Sequence, residues 1–460
     1  MEHVKLYCSG KLLLRNEIPL QESQFQTYLS QNLILPVPSI VIKNMFIRIC
    51  QRCGNQRKSL FAKTVYYDNY TVDYYCRKCI EMGKVTESKP LYRWNGKQPI
   101  WKKHKAACTW EGKLTSAQTV AANEVVQAVQ NQKQLLIWAV CGAGKTEMLF
   151  HGIEEALRLG KRICIATPRA DVVRELVPRM QTAFSSIDIQ GLYGESKDKT
   201  GTSQIIISTT HQLIRFDQAF DVMIIDELDA FPFHADPSLP YVAKRATKLK
   251  STTIYLTATP RRKQQFELTA KRLPHIFVAK RFHGYPLPVP SLKMCFPLRK
   301  DLSKNNLPRA FSQWLQKRER KGRQLLIFLP TIELTERLVP KITGLCKCYR
   351  MISSHEQIAA VHASDQDRAS KVNHFRNGKV KVLLTTTILE RGVTFPSVDV
   401  VVIDAGHHVF DKAALVQIAG RAGRSASDPT GEVVFFHDGK TKAMNAAIQL
   451  IKTMNKRGGF

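Results

Sequence analysis

The sequence predicts an α/β protein in which two tandem domains, each built on a doubly wound parallel sheet, follow a four-cysteine metal-binding module. Apolar strand-like runs alternate with amphipathic helical stretches in both halves of the chain. A glycine-rich loop follows one of these runs near residue 140, and two Cys-x-x-Cys pairs lie upstream of it. These three observations together predict a metal module joined to a nucleotide-binding sheet and a second sheet.

The glycine-rich loop has the pattern of a phosphate-binding loop. It reads Ala-Val-Cys-Gly-Ala-Gly-Lys-Thr over residues 139–146 and lacks the usual first glycine, since position 139 is alanine. The glycines allow the backbone to approach phosphate closely. Lys145 can reach the β- and γ-phosphates, and the Thr146 hydroxyl can bind Mg²⁺. The predicted ligands of ATP are Gly142, Ala143, Gly144, Lys145 and Thr146. The alternative is a glycine-rich turn that binds no nucleotide.

The net charge favours a polyanionic partner. The 460 residues carry a formal net charge of +31, and the pI is about 9.8. A field of this sign attracts nucleic acid first and an anionic membrane surface second, although charge also serves plain solubility. No run of about eighteen apolar residues occurs, and residues 1–10 lack a signal-peptide core, so we expect a cytoplasmic protein.

Two cysteine pairs predict a structural zinc site of the ribbon type. The pairs are separated by 22 residues, a spacing typical of a closed tetrahedral Cys₄ shell. A redox role would need a single pair on a thioredoxin-like unit. Between the pairs, two strand-like segments joined by Asp68-Asn69 predict a hairpin. The predicted zinc ligands are Cys50, Cys53, Cys76 and Cys79.

Aromatic and basic residues are interleaved between the zinc module and the phosphate loop. Stacking faces beside cations are typical of surfaces that bind single-stranded nucleic acid. Core tryptophans under a solvated basic face would give the same pattern, and the sequence leaves both interpretations open. The aromatic residues are Tyr92, Trp94, Trp101 and Trp110, and the neighbouring cations include Arg93, Lys97, Lys102, Lys103 and Lys105.

The composition suggests four segments. We expect an N-terminal extension over residues 1–45, a zinc-binding module over 46–112, a first α/β domain over 113–285 and a second over 286–460. A basic, proline-rich stretch over about 261–300 predicts a connector between the two domains.

Polar clusters follow four apolar strands of the first α/β domain, at Thr-Pro-Arg, Thr-Thr-His-Gln, Asp-Glu-Leu-Asp and Thr-Ala-Thr-Pro. Ligands of such sheets bind beyond the carboxyl ends of the strands. Asp226 can hold Mg²⁺ against the loop phosphates, and Glu227 can orient and deprotonate the attacking water. Gln118, upstream of the phosphate loop, can pair with an adenine edge. An acidic turn without catalysis is the alternative for residues 226–229.

The second domain lacks a phosphate loop but ends in Gln-Ile-Ala-Gly-Arg-Ala-Gly-Arg over residues 417–424. If this domain faces the nucleotide held by the first, Arg421 and Arg424 can stabilise the charge of γ-phosphoryl transfer, with Gln417 beside them. Such a contact would couple hydrolysis to domain closure. A helix that contacts nucleic-acid phosphates is the alternative.

These motifs, in this order, resemble those of the DEAD/DEAH-like helicases of superfamily 2. The resemblance rests on Gln118, the phosphate loop, the four polar clusters, the Thr-Thr-Thr-Ile-Leu-Glu-Arg-Gly segment at 385–392 and the arginine motif, and covers roughly residues 115–425. A Cys₄ ribbon ahead of the motor resembles the ComFA family of late-competence DNA-uptake ATPases. The helicase PriA is the second resemblance, but it is longer and carries its cysteines inside the second motor domain. Both imply tandem RecA-like domains.

The resemblance also implies a nucleic-acid path on the backbone phosphates, which suits a sequence-independent motor. The residues it implies for contact are Pro168, Arg169, Thr209, Thr210, His211, Gln212, Thr331, Thr386 and Thr387. It further implies a phosphoribosyltransferase-like competence partner and work at the inner face of the cell membrane, near the DNA-uptake channel.

The function hypothesis is an ATP-dependent translocase on single-stranded DNA that drives DNA import during natural transformation. We expect its ATPase activity to be stimulated by nucleic acid, with ATP, Mg²⁺ and Zn²⁺ as cofactors. One alternative is a zinc-ribbon DNA clamp whose ATP cycle gates grip without movement. The other is duplex unwinding at replication forks, as in PriA.

Overall fold

The computed structural model describes residues 2–44, 46–66 and 71–460, which fold into two compact units. The first unit comprises Met1–Trp138 and Thr146–Ile276, and the second comprises Ala139–Lys145 and Phe277–Phe460. The four-cysteine module therefore belongs to the same unit as the first α/β domain. The predicted turn at Asp68-Asn69 lies outside the described residues.

The N-terminal part of the first unit consists of small antiparallel sheets, with strand orders β1-β8-β2, β3-β4 and β5-β6-β7. β5 and β6 form the hairpin expected between the cysteine pairs, with Phe61 opposite Cys76. The elements are α1 Glu2–Cys8, β1 Leu12–Leu13, α2 Glu22–Ser30, β2 Ile34–Val37, β3 Ile40–Lys43, β4 Ile47–Cys50, β5 Phe61–Tyr66, β6 Thr71–Cys76, β7 Val85–Thr86 and β8 Leu91–Trp94.

A seven-stranded sheet of order β11-β12-β10-β13-β14-β9-β15 follows. The neighbouring pairs from β11 to β9 are parallel, and their central residues are buried on both faces. This explains the near-continuous apolar runs of the sequence. The strands are β9 Gln134–Ala139, β10 Ile163–Thr167, β11 Ile189–Leu192, β12 Ile205–Thr209, β13 Phe220–Ile225, β14 Thr247–Thr257 and β15 His275–Val278. The helices are α3 Ser116–Gln130, α4 Phe150–Arg158, α5 Ala170–Ala183, α6 Ser238–Ala246 and α7 Arg262–Thr269.

The second unit is built on a parallel sheet of order β16-β21-β20-β17-β19-β18. Its strands are β16 Ser291–Met294, β17 Gln324–Phe328, β18 Ile358–Val361, β19 Val382–Thr385, β20 Val398–Ile403 and β21 Val433–His437. Its helices are α8 Leu298–Ser303, α9 Arg309–Lys317, α10 Ile332–Cys348, α11 Arg368–Arg376, α12 Lys412–Ala419 and α13 Lys442–Arg457. Two parallel-sheet units behind a four-cysteine module are the fold class that the sequence predicts. Across the described residues, the helices are too short or too polar to cross a membrane.

The stretch over residues 261–300 differs from the predicted connector. It contains helix α7, strand β15, which borders β9 in the first sheet, and strand β16, which borders β21 in the second. Both strands are four residues long and partly exposed, so they carry little of the apolar signal by which buried strands are recognised.

A buried charge network holds the second unit together at the start of β20. Arg318 donates to Asp399 Oδ2 through Nε at 2.8 Å and Nη2 at 2.6 Å. Arg323 Nη1 and the Glu432 backbone N–H donate to Asp399 Oδ1, at 3.1 and 2.9 Å. Asp399 and Arg318 are buried, so loss of the carboxylate would leave the buried Arg318 guanidinium without its counter-ion, while Arg323 would keep its ion pair with Asp428.

We therefore expect Asp399→Ala to lower the free energy of unfolding of the second unit by about 3–5 kcal/mol, measured by urea denaturation. The control is Glu333→Ala, which removes an exposed ion pair with Arg337 and should cost below about 1 kcal/mol. Equal losses in the two variants would contradict a structural role for the buried network.

Candidate zinc, nucleotide and nucleic-acid sites

The four cysteine thiols converge as the spacing predicts. All four Sγ atoms lie within 4.8 Å of one another, with Cys50 3.7 Å from Cys79 and Cys53 3.6 Å from Cys76. A tetrahedron with Zn–S bonds of about 2.3 Å has edges of about 3.8 Å, so the donor set fits zinc. All four residues are buried, which leaves no position for substrate and indicates a structural site.

Local backbone geometry builds this cluster. β4 delivers Cys50, and the chain then turns so that the Gly54 N–H donates to the Cys50 carbonyl at 2.8 Å. Gly54 has φ of +72°, a conformation that glycine adopts without strain. Asn55 Nδ2 lies 3.8 Å from Cys76 Sγ and donates toward it, which would orient that sulfur in a thiolate shell.

We expect the purified protein to hold about one zinc per chain and Cys50→Ser to lose it, measured by elemental analysis. The reason is that three thiolates leave the tetrahedral shell open. Cys8→Ser is the matched control, because Cys8 is also a buried thiol but packs in a separate apolar cluster with Phe25 and Trp94. Wild-type protein without metal, or equal metal in both variants, would refute the site.

The phosphate loop follows β9 with the backbone that the motif requires. Gly142 and Gly144 have φ of +79° and +71°, in the left-handed region that other residues rarely adopt. Ala143 is buried and its N–H donates to the Val140 carbonyl at 3.2 Å. Lys145 and Thr146 are half-buried, so their polar ends retain access to a ligand.

The acidic pair lies just beyond the carboxyl end of β13. Asp226 Oδ1 accepts the Glu227 backbone N–H at 2.8 Å. Glu227 has φ of +53°, an uncommon conformation for a non-glycine residue. Its Oε2 atom is buried and has no hydrogen-bond partner among the described residues. A buried carboxylate oxygen without a donor carries a desolvation cost. A hydrogen bond from a bound water or substrate would offset this cost, as expected for a catalytic carboxylate.

Asp229 has a role that the sequence did not reveal. It is buried, and its two carboxylate oxygens accept the hydroxyls of Thr257, at 2.6 Å, and Thr259. The Arg261 Nε donates to its backbone carbonyl at 2.9 Å. The acidic segment is therefore tied to the Thr-Ala-Thr-Pro segment at the end of β14, a link that only three-dimensional proximity shows.

The arginine motif of the second unit is largely buried. Arg421 is 2 % exposed and donates through Nε to the Glu390 carbonyl at 3.0 Å. Arg424 is half-buried and donates through Nε to the Gly420 carbonyl at 2.9 Å. Residues Ala139–Lys145 group with this unit, and within it Cys141 Sγ donates to Gln417 Oε1 at 3.1 Å. The motif thus contacts the phosphate loop directly.

Arg281 is a second residue that sequence reasoning missed. It lies in the predicted connector among many other basic residues, and no local pattern distinguishes it. Its side chain is buried, its Nη2 donates to the Ala422 carbonyl at 2.9 Å, and the next N–H, of Phe282, donates to the Gly142 carbonyl at 2.9 Å. Burial lowers the pKa of Arg281 to about 10, with Arg424 adding to the effect.

Gln118 lies at the start of α3, where it forms a capping box with Thr115. Its Oε1 accepts the Thr115 N–H at 2.8 Å, and its own N–H donates to Thr115 Oγ1 at 3.4 Å. Gln118 is buried, so the cap fixes its side chain in place. Its pairing with adenine stays a prediction.

The residues that the resemblance implies for nucleic-acid contact differ in exposure. His211 and Thr331 are exposed, whereas Pro168, Thr209, Thr210 and Gln212 are buried. Arg169, Thr386 and Thr387 are half-buried. Thr331 caps α10 by accepting the Leu334 N–H at 3.1 Å. Contact through the buried members would therefore have to use backbone groups or follow a local rearrangement.

Of the interleaved aromatic residues, Trp94 is buried, whereas Tyr92, Trp101 and Trp110 are half-buried. Trp94 is buried and donates to the Lys97 carbonyl at 3.2 Å. Trp101 lies under the Arg162 guanidinium, 4.7 Å from its ring centroid, and Trp110 meets Phe150 edge to face at 5.4 Å. Trp94 is thus a core tryptophan, while Trp101 and Trp110 keep part of their surface accessible, so the structure supports the core interpretation for Trp94.

Comparison with known families gives three matches in chain order. Residues 1–93 match the Competence protein ComFA N-terminal domain, residues 111–262 match the Type III restriction enzyme res subunit, and residues 306–426 match the Helicase conserved C-terminal domain. The four-cysteine cluster lies in the first of these regions, and the phosphate loop and acidic pair lie in the second.

Individual proteins agree with the family matches. Competence protein ComFA of Bacillus subtilis (strain 168) is 43 % identical over 445 residues, which cover 96 % of this chain and 93 % of that protein. Competence protein ComFA of Streptococcus pneumoniae is 36 % identical over 99 % of this chain and 100 % of its own length. Among solved structures, S. cerevisiae Dbp5 bound to RNA and ADP BeF3 has a TM-score of 0.56 and 18 % identity, covering 74 % of this chain and 88 % of Dbp5. That similarity supports the fold.

Proposed function

Because the chain belongs to the Competence protein ComFA family, we propose that it is an ATP-driven motor that moves along single-stranded DNA during DNA uptake. The coarser assignment, a superfamily 2 helicase-type ATPase, follows from its two helicase domain matches and its fold. Translocation and stimulation by nucleic acid are the parts that we propose.

The observation that supports this function best is the shared edge of the seven-stranded sheet. β9, β10, β12, β13 and β14 belong to one parallel array, so their carboxyl ends lie on one side. Each end leads into a polar motif: the phosphate loop, Thr-Pro-Arg, Thr-Thr-His-Gln, Asp-Glu-Leu-Asp and Thr-Ala-Thr-Pro. The segments that are candidates for nucleotide binding and for nucleic-acid binding thus follow neighbouring strands at the same edge of one sheet.

The residues at this edge fit ATP hydrolysis. Lys145, Thr146 and Asp226 would hold the phosphates and Mg²⁺, and the metal would supply neutralisation of the charge that develops at the γ-phosphate. Glu227 is the candidate base, since its buried Oε2 has no competing donor among the described residues. A water that donates to this oxygen would be both oriented and activated. Arg421 and Arg424 are the candidate cations of the second unit.

The candidate DNA-binding residues would contact the phosphates of the backbone and not the bases. The chain has a formal charge of +31, and the exposed or half-buried members of the implied set include His211, Arg169 and Thr331. Contacts of this kind give binding that is independent of sequence and weakens steeply with salt.

We expect single-stranded DNA to accelerate ATP hydrolysis, and Lys145→Ala or Glu227→Gln to reduce the stimulated rate by at least about 10²-fold. Rates are measured with single-stranded DNA, duplex DNA and RNA at several salt concentrations. Lys133→Ala is the control, because Lys133 is an exposed residue that precedes β9. If single strands leave the wild-type rate unchanged, the motor function is refuted.

Movement is tested separately from hydrolysis. We expect the wild-type chain, with ATP, to displace a triplex-forming strand from DNA that carries a single-stranded loading site, and Glu227→Gln to displace none. Tight DNA binding with DNA-stimulated hydrolysis but no displacement would contradict translocation and identify an ATP-gated clamp.

A further inference from the structure

The four-cysteine cluster belongs to the same hydrophobic core as the turn Thr210–Arg215, which begins with candidate DNA-contacting residues. All four cysteines share one hydrophobic core with Leu213 and Ile214 of that turn and with Leu239 and Val242 of α6. The four-cysteine module and the turn are therefore parts of one folded unit with a common core.

Arg245, near the end of α6, joins the two elements through backbone carbonyls. Its Nη1 donates to the carbonyls of Gln51, at 2.9 Å, and Arg52. Its Nε donates to the Phe216 carbonyl at 3.1 Å, and its Nη2 donates to the Ile214 carbonyl at 2.5 Å. Gln51 and Arg52 are the two residues between Cys50 and Cys53. We call each Cys-x-x-Cys segment, residues 50–53 and 76–79, a knuckle. The first knuckle therefore supplies two of the four carbonyls that accept hydrogen bonds from Arg245.

The second knuckle makes a parallel contact. Lys78, between Cys76 and Cys79, forms an ion pair with Asp236 at 2.7 Å. Asp236 Oδ1 in turn accepts the Ser238 N–H at 2.9 Å, at the start of α6. Both knuckles therefore hold α6, the helix that carries Arg245.

The carbonyl directions of residues 51 and 52 depend on the shell. When both flanking thiolates bind one metal ion, the short loop between them is closed and its carbonyls are fixed. When the metal leaves, the loop gains backbone freedom and the planar guanidinium of Arg245 loses aligned acceptors. The carbonyls of Ile214 and Phe216 then lose a common donor.

We propose that Arg245 is a positioning residue that transmits the zinc-bound shape of residues 50–53 to the turn Thr210–Arg215 and so sets the affinity for single-stranded DNA. This inference rests on the proposed function, since it concerns the DNA-contacting turn of that motor.

The test compares two arginine variants of the zinc-loaded chain of 460 residues. Arg245→Met should weaken binding of a fluorescent single-stranded oligonucleotide about tenfold in an anisotropy titration. Arg162→Met is the control, because Arg162 is buried in the same unit and its guanidinium donates to the carbonyls of Gly201 and Ser203, neither of which belongs to a cysteine pair or to the turn Thr210–Arg215. It should change the affinity less than about twofold. Equal weakening in both variants would overturn the proposal.

The zinc dependence gives a second criterion. Cys50→Ser should also weaken DNA binding, and adding it to Arg245→Met should cause little further loss, because both changes break the same path. Independent, multiplicative losses would contradict a shared path.

Hydrogen exchange keeps the inference testable if Arg245→Met does not fold. On removal of zinc from the wild-type chain by a chelator, the amides of Leu213 to Phe216 should lose protection while those of the central strand β13 keep theirs. Unchanged protection of the turn would refute the link. Wild-type protein that binds no single-stranded DNA would instead refute the proposed function, and the exchange result would still stand.

Discussion

The candidate motor depends on the geometry of parallel strands. Within one parallel array every strand ends at the same edge, so segments far apart in the chain become neighbours without long loops. The central strands β10 and β12 are buried along their whole length, which leaves no place for polar chemistry within them. Side chains that bind or react must therefore follow the last strand residue, as those after Thr167, Thr209 and Ile225 do.

Two carboxylates at this edge, Asp229 and Glu227, differ in their hydrogen bonding, and this difference separates a structural role from a candidate catalytic one. Asp229 is saturated: two threonine hydroxyls and its own backbone contacts hold it in place. Glu227, two residues earlier, keeps a buried oxygen that accepts nothing from the described residues and sits on a strained backbone. The hydrogen bonds of Asp229 stabilise a loop. The unpaired oxygen and strained backbone of Glu227 carry a free-energy cost, and a ligand that donates to this oxygen would reduce the desolvation part of that cost. The sequence motif alone does not separate these roles.

The sequence predicted those parts of the molecule whose signal is local. Long apolar runs identified the buried strands, and the two Cys-x-x-Cys pairs predicted the convergence of Cys50, Cys53, Cys76 and Cys79, because each apolar run and each cysteine pair is a pattern within a few residues. β15 and β16 were missed because four partly exposed residues carry too little hydrophobic signal.

Roles that come from tertiary packing were missed for a different reason. Arg281 has ordinary surface-like neighbours in the sequence, and its burial arises from chain segments that are distant in sequence. Whether an arginine in a basic stretch is solvated or buried is decided by that packing, which no local pattern encodes.

The fusion of the zinc module with the first α/β domain has an energetic consequence. Glu17, upstream of the cysteines, accepts Arg52 of the first knuckle at 2.6 Å and pairs with Arg215, at the end of the Thr210–Arg215 turn, at 3.3 Å. Arg52 is fully buried, so this carboxylate compensates a charge that the knuckle could not otherwise bury. Metal binding to the knuckles is then linked to the stability of the whole first unit. A module built this way is part of the framework of the first unit, and a zinc ion bound there would be linked to the turn Thr210–Arg215 through these ion pairs.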